Sequence, residues 1–360
     1  MTPVFSIEEE IQLENYVDFL EKLSDIYYGK AEEQNSVSPF LRLFSQEGLK
    51  FNNSFINSLK LSFLFENTLS YYDIHNASPY LKNKIGIVEP MFSVKFNDNK
   101  TEFMFDYNLT RRLEGYHKGF LEKISRLYIS HNITPNQTIL IGQGNRVPIN
   151  YDGSRNTMQT ETVLKSQTGR TFANSFSTGI RNIASYKYID YDIGIYDSTR
   201  YMKDFGNGID FTGFAIIKPF INQESELYKN IKIGTGYAIG KNHINYHTYT
   251  AFASYDYKKF HVKAEYSNAD GYNGITISRN KADGFYSLIS YELTPKLEVL
   301  FKYDYFTPNK NISSKYSQEY TAGLTYKIFK NFKFIINYVC KINSSSPNSN
   351  MILFAARFII

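Results

Sequence analysis

The chain has 360 residues, a net charge of +5 and 21% charged residues, with 17% aromatics split between 31 Tyr and 29 Phe and no Trp. A single cysteine, Cys340, excludes an intrachain disulfide framework and any cysteine-based zinc site. No stretch of about 18 apolar residues occurs, so a helical membrane protein is excluded, whereas a β-rich soluble protein and a membrane β-barrel both survive.

In chain order, the first fifty residues stand apart. Apolar residues at Ile7, Ile11, Leu13, Val17, Leu20, Leu23 and Tyr27 are separated by acids, and Leu13, Leu20 and Tyr27 are seven apart. That spacing predicts an amphipathic helix, either docked or coiled, followed by a polar linker over Gly29 to Ser38. The start lacks a basic segment followed by an apolar one, so no signal peptide is read there. Residues 1–50 are thus expected to form a helix and linker on the periplasmic side, and 51–360 a second unit.

From about residue 57 the period changes to two. In Phe332 to Ile342, the residues Phe332, Phe334, Ile336, Tyr338, Cys340 and Ile342 share one face, while Lys333, Asn337 and Lys341 share the other. Tyr320, Ala322, Leu324 and Tyr326 likewise oppose Glu319, Thr321, Thr325 and Lys327. One apolar face in a two-residue period is a sheet whose two sides see different solvents. Sixteen strands of about ten residues are predicted, a length suited to tilted membrane-spanning strands. They fall near 57–66, 85–96, 101–110, 120–131, 137–145, 174–182, 187–196, 210–219, 229–240, 246–257, 259–267, 284–293, 296–306, 317–328, 332–342 and 351–360.

The connections between them alternate in length. Lys258–Lys259, Thr294–Pro295 and Phe329–Asn331 are short, whereas Asn67–Lys84, Arg146–Ala173, Asn268–Asp283 and Thr307–Tyr316 are long, with one exception at Phe220–Tyr228. A transmembrane barrel with tight periplasmic turns and longer external loops predicts that rhythm. The final apolar face, Ile352, Phe354, Ala356, Phe358 and Ile360, fits a closing strand. The fold class expected is an all-β, sixteen-stranded antiparallel transmembrane barrel with a short N-terminal helix.

Particular runs carry a resemblance. Phe120-Leu-Glu-Lys-Ile-Ser-Arg-Leu-Tyr-Ile-Ser-His131, Thr138-Ile-Leu-Ile-Gly-Gln-Gly-Asn-Arg-Val-Pro148, Phe176-Ser-Thr-Gly-Ile-Arg-Asn-Ile183 and Tyr191-Asp-Ile-Gly-Ile-Tyr196 are similar to strands of the phosphate-selective porin family. The likeness runs from Phe120 to Pro219 and more loosely to Ile360. It implies a bacterial outer-membrane channel, a homotrimer, and contact with lipid and lipopolysaccharide. The run departs from the family at Val147-Pro148-Ile149-Asn150. Since a lipid-facing band would aggregate in water, a signal peptide is expected upstream of this start.

Out of phase with the aromatic face, lysines and arginines nearly balance aspartates and glutamates, which predicts a water-filled lumen of mixed charge. The connection after the strand at 137–145 is richer in base: Arg146, Arg155, Lys165, Arg170 and Arg181 stand against Asp152 and Glu161. Folded inward, it would narrow the pore, and its guanidinium forks would suit phosphate or carboxylate oxygens. With Lys218, Lys263 and Lys302, these are the expected pore-lining and anion-binding residues. No ordered nucleophile, base and acid are present, and His243 and His247 alone make a poor metal pair. No enzyme activity, cofactor, metal or nucleic-acid partner is expected. The expected function is passive diffusion of small polar or anionic solutes, with phosphate among the candidates, through a basic constriction loop. The alternative is a non-conducting barrel acting as adhesin or envelope anchor.

Overall fold

The computed structural model describes residues 43–44, 48–51, 55–110, 123–145, 149–172, 176–199, 206–274, 276–312 and 315–360. The expected helix at 7–28, its linker and Arg146 lie outside the described residues.

A two-residue strand, β1 (Leu49–Lys50), pairs with the start of β2 (Ile56–Ile74). Next come β3 (Tyr80–Phe96), β4 (Thr101–Tyr107), β5 (Ile124–Thr134), β6 (Gln137–Asn145), β7 (Phe176–Ser185), β8 (Ile189–Asp197) and β9 (Ile209–Ile217). The second half holds β10 (Ile231–Asn242), β11 (Ile244–Tyr257), β12 (Phe260–Asn273), β13 (Ile277–Thr294), β14 (Leu297–Thr307), β15 (Ser317–Phe329), β16 (Phe332–Asn343) and β17 (Ser349–Ile359). From β2 onward each strand pairs antiparallel with the next, and β17 returns to β2 in a register that sets Arg357 opposite Glu66. The sixteen strands β2–β17 therefore close on themselves. Closure leaves no edge with unpaired backbone groups, which is what a sheet needs in order to stand in hydrocarbon.

The alternation sorts the faces as expected. On β16, Ile336 and Tyr338 are 45% and 48% exposed, while Ile335 and Val339 beside them are 0% and 1%. The apolar face points outward, and the face bearing Lys333 and Asn337 points in. All sixteen expected strands are present.

The connections differ from the expectation at one end. The short turns hold: Asn97–Lys100, Pro135–Asn136, Lys258–Lys259, Pro295–Lys296 and Lys330–Asn331 each join neighbours directly, and the exception near 220 contains a four-residue helix, α3 (Glu226–Lys229). At the opposite end, two of the expected long loops are mostly strand. β2 and β3 continue as a ribbon whose turn is only 75–79, with Asn76 at φ 67, and β12 and β13 meet across 274–276. The expected intermediate loop between β10 and β11 is His243 alone, at φ 56. The physical reason is visible on β3, where Tyr80 to Ile85 are exposed on both faces. With water on both sides nothing enforces alternation, yet the backbone ladder still satisfies its own groups.

Candidate functional site: the barrel interior

Between β6 and β7 the chain turns into the barrel, carrying two short helices, α1 (Tyr151–Ser154) and α2 (Gln167–Phe172). Its backbone must be satisfied without a sheet, and inward-facing side chains of the wall do it. The Ile149 carbonyl accepts from Thr250 Oγ1 on β11, and Asn150 Nδ2 donates to Ser267 Oγ on β12 at 3.2 Å. Tyr151 N donates to Glu265 Oε2 at 2.6 Å, and Gln167 N to Asp304 Oδ2 on β14 at 2.7 Å. Val163 N donates to Asn337 Oδ1 on β16 at 2.7 Å. The carbonyls of Met158 and Thr160 each accept from Lys333 Nζ at 2.7 Å, and the Leu164 carbonyl from Lys302 Nζ at 2.9 Å. Arg357 on β17 donates to the carbonyls of Thr157, Thr160, Thr162 and Val163 and to Thr160 Oγ1, while its Nε holds Glu66 at 2.5 Å.

Apolar contacts complete the docking. Phe172 packs edge-on against Tyr272 and Phe306, with ring centroids 5.1 and 5.9 Å away. Tyr151 stacks on Phe252, which stacks on Phe214, at 4.6 and 5.4 Å. Val163 and Leu164 lie against Val339, Met351 and Leu353. Glycines allow the close approaches, because a Cβ at Gly274 would stand 1.7 Å from the Thr171 carbonyl oxygen and one at Gly236 2.2 Å from that of Ile149.

Among the described residues, the basic side chains expected on this segment are engaged in holding it. Arg155 pairs with Glu161 and also donates to the Gln159 carbonyl; Lys263 of β12 reaches the other Glu161 oxygen. Burial alone would raise the Glu161 carboxyl, but Arg155 and Lys263 outweigh it and hold it down at about 2. Lys165 Nζ donates to the carbonyls of Arg155 and Gly153 at 2.6 and 3.2 Å, and burial pulls its ammonium below the ordinary value. Arg170 Nη2 donates to Glu319 Oε2 at 2.6 Å, and Lys341 reaches the other oxygen at 3.0 Å. Lys302 stands 4.0 Å from Asp304 and is 2% exposed at its side chain.

Two of the expected residues stand on the other wall. Arg181 on β7 grips both Asp192 oxygens, with Nε–Oδ1 at 2.8 Å, and Lys218 pairs with Asp190 at 2.6 Å. Beside Arg181 the strands place a residue that sequence reasoning missed. Arg126 on β5 donates from Nε to Asp106 at 2.7 Å and shares a cavity of about 320 Å³ with Arg181, Tyr128 and Glu102. Its phase with Tyr128 and Ser130 was the available signal. A neighbouring cavity of about 690 Å³ is bordered by Lys60, Lys95, Glu102, Ser62 and Met104. Among the described residues, the inner segment thus lies against the side of β11–β17, and the two cavities lie on the side of β2–β7. Such a space can pass small polar solutes along a wall of charge-paired groups.

The fold recurs in solved outer-membrane proteins. An anion-selective porin from Comamonas acidovorans superposes with a TM-score of 0.64 at 11% identity, covering 84% of this chain and 99% of that one. OmpT, an outer membrane protein of Vibrio cholerae, in its trimer form gives 0.59 at 9% identity, covering 84% and 100%, and Pseudomonas putida OprB gives 0.62 at 7%, covering 84% and 94%. No curated protein matches the sequence. The family described as phosphate-selective porin O and P matches residues 191–351, from β8 into β17, and over that stretch the resemblance read from the strands is borne out.

Proposed function

We propose that this chain is a channel of the bacterial outer membrane through which small polar and anionic solutes diffuse passively. The observation that carries the reading is a closed barrel, apolar outside and polar inside, whose inner segment lies against one side of the lumen while the described residues of the other side border cavities. The inner segment acts as the constriction. Its described arginines, Arg155 and Arg170, are spent on tethers, so the lean towards anions falls to the opposite wall, where Arg126 and Arg181 flank one cavity and Lys60 and Lys95 border the next. Guanidinium forks suit oxyanions, phosphate among them. Single-channel recording in planar bilayers tests this. Conductance is expected, and Arg126→Gln with Arg181→Gln should move the reversal potential in a salt gradient towards cation preference. A silent protein would instead favour a plugged barrel serving as adhesin or envelope anchor, a reading that the dense tethers of the inner segment support.

The outer surface supports association of copies into a homotrimer. Tyr249, Tyr266, Tyr291, Tyr303, Tyr326 and Tyr338 face outward on β11–β16, as aromatic girdles do at lipid headgroups. β5–β9 present Ile129, Ile141, Ile180, Ile193, Ile195 and Ile209 instead, and β4–β9 are only 7 to 11 residues long. That low, isoleucine-rich wall is the proposed contact. Ile180→Cys should give disulfide-linked or cross-linked oligomers in membranes, whereas Phe301→Cys on the tyrosine-rich side should not.

A further inference from the structure

At the short-turn end of the barrel, six charged or titratable side chains form a row across the inner ends of six consecutive strands. Lys232 on β10 lies 3.7 Å from Asp256 on β11, whose other oxygen is 2.9 Å from His261 Nδ1 on β12. His261 Nε2 is 4.0 Å from Glu292 on β13. Lys327 on β15 then lies 3.5 Å from Glu292 and 3.8 Å from Glu298 on β14. The phase of the strands turns the row inward, since His261 is two residues from Lys263, which binds Glu161, and Lys327 is two from Thr325, which donates to the Glu161 carbonyl. Five of the six are between a quarter and two-fifths exposed, so the row meets the water of the lumen mouth.

Three carboxylates here stand against two ammonium groups. The row carries one surplus negative charge while the imidazole is neutral and none once it is protonated. Histidine is the side chain whose charge ordinarily changes between about pH 5 and 8. The charged groups that face it are Asp256 from β11, Glu292 from β13 and, on its own strand, Lys263, which Glu161 occupies. Lys232 stands behind Asp256 and Lys327 behind Glu292. Of the turn between β11 and β12, Lys258 lies over the Tyr257 ring. Across the mouth, Lys60 and Lys95 with Glu102 border the larger cavity. The mouth therefore carries this row on one side and the Lys60, Lys95 and Glu102 group on the other, and one histidine decides the charge of the row, beside the turn lysines Lys258, Lys259 and Lys296.

We propose that His261 sets the ion preference of the passage at its short-turn mouth and makes that preference depend on pH. Protonation of the imidazole cancels the surplus negative charge of the inward-facing row and lets anions enter more readily. This rests on the channel reading above. The test is the reversal potential of the reconstituted protein in a potassium chloride gradient, for the wild type, His261→Gln and His261→Lys. One elementary charge at the rim of a hydrated pore should change the anion-over-cation permeability ratio about twofold. The wild-type ratio should rise by that factor as pH falls from 8 to 5.5. His261→Gln should stay near the wild-type value of pH 8, and His261→Lys near that of pH 5.5. An equal pH shift in His261→Gln, or a wild-type ratio that ignores pH in a conducting protein, would overturn the assignment alone. A silent protein would overturn the channel reading with it.

Discussion

The two sides of the barrel use the same chemistry to opposite ends. On β11–β17 the inward charges reach across space to a foreign backbone: Lys333, Lys302 and Arg357 donate to carbonyls of a segment more than a hundred residues away in sequence. On β4–β9 they turn to their own neighbours, as Arg126 does to Asp106, Arg181 to Asp192 and Lys218 to Asp190. A buried cation must be paired somewhere, and the choice of partner decides whether a wall is filled or left open. The same pairing chemistry thus yields an anchor on one wall and a lining on the other.

The strongest way to break that contrast is to remove Arg357. Its side chain is 3% exposed and holds Glu66 together with four carbonyls and a hydroxyl of the inner segment. Arg357→Ala should cost about 3–5 kcal/mol, the usual penalty for orphaning a buried charge. The expected readouts are a lower urea midpoint and a several-fold larger conductance as the segment swings away from the wall. Unchanged conductance in a folded variant would show that the segment does not limit the passage.

A smaller effect concerns acid. The Glu161 carboxyl is held at about 2 by Arg155 and Lys263, well below the usual carboxylate range. A depressed folded value means that the tether's stabilisation is complete above the unfolded value of about 4.5 and is lost as pH falls towards 2. Conductance should therefore hold steady to about pH 4 and rise below about 3. Glu161→Gln, lacking the tether at every pH, should show the higher conductance at neutral pH and a flatter acid response. A wild-type and variant with superimposable profiles would dismiss the tether.

Much of the barrel was legible because lipid and water impose a strict period of two, and Phe334, Ile336 and Tyr338 reveal their face without any knowledge of neighbours. The ribbons beyond the bilayer were not, since Tyr80 to Ile85 meet water on both faces and read as loop. The inner segment showed its length and its bases. Its partners were hidden, because nothing local ties Asn337 to Val163 across 174 residues. Charge count alone could not separate an arginine that lines a pore from one that fastens a strap: Arg170 and Arg181 look alike in sequence, yet one ends on Glu319 and the other on the carboxylate of the adjacent strand.

The seam between β17 and β2 also orders events in time. Each of the other fifteen contacts around the ring joins strands consecutive along the chain, so hairpins can form one after another while the polypeptide is still arriving. The last contact joins residues nearly three hundred positions apart, as with Arg357 and Glu66, and its loop-closure entropy is the largest in the molecule. Arg357 fastens the inner segment from that same seam. Ring closure and seating of the segment thus become one late event, and a half-built barrel has neither a finished wall nor a finished passage.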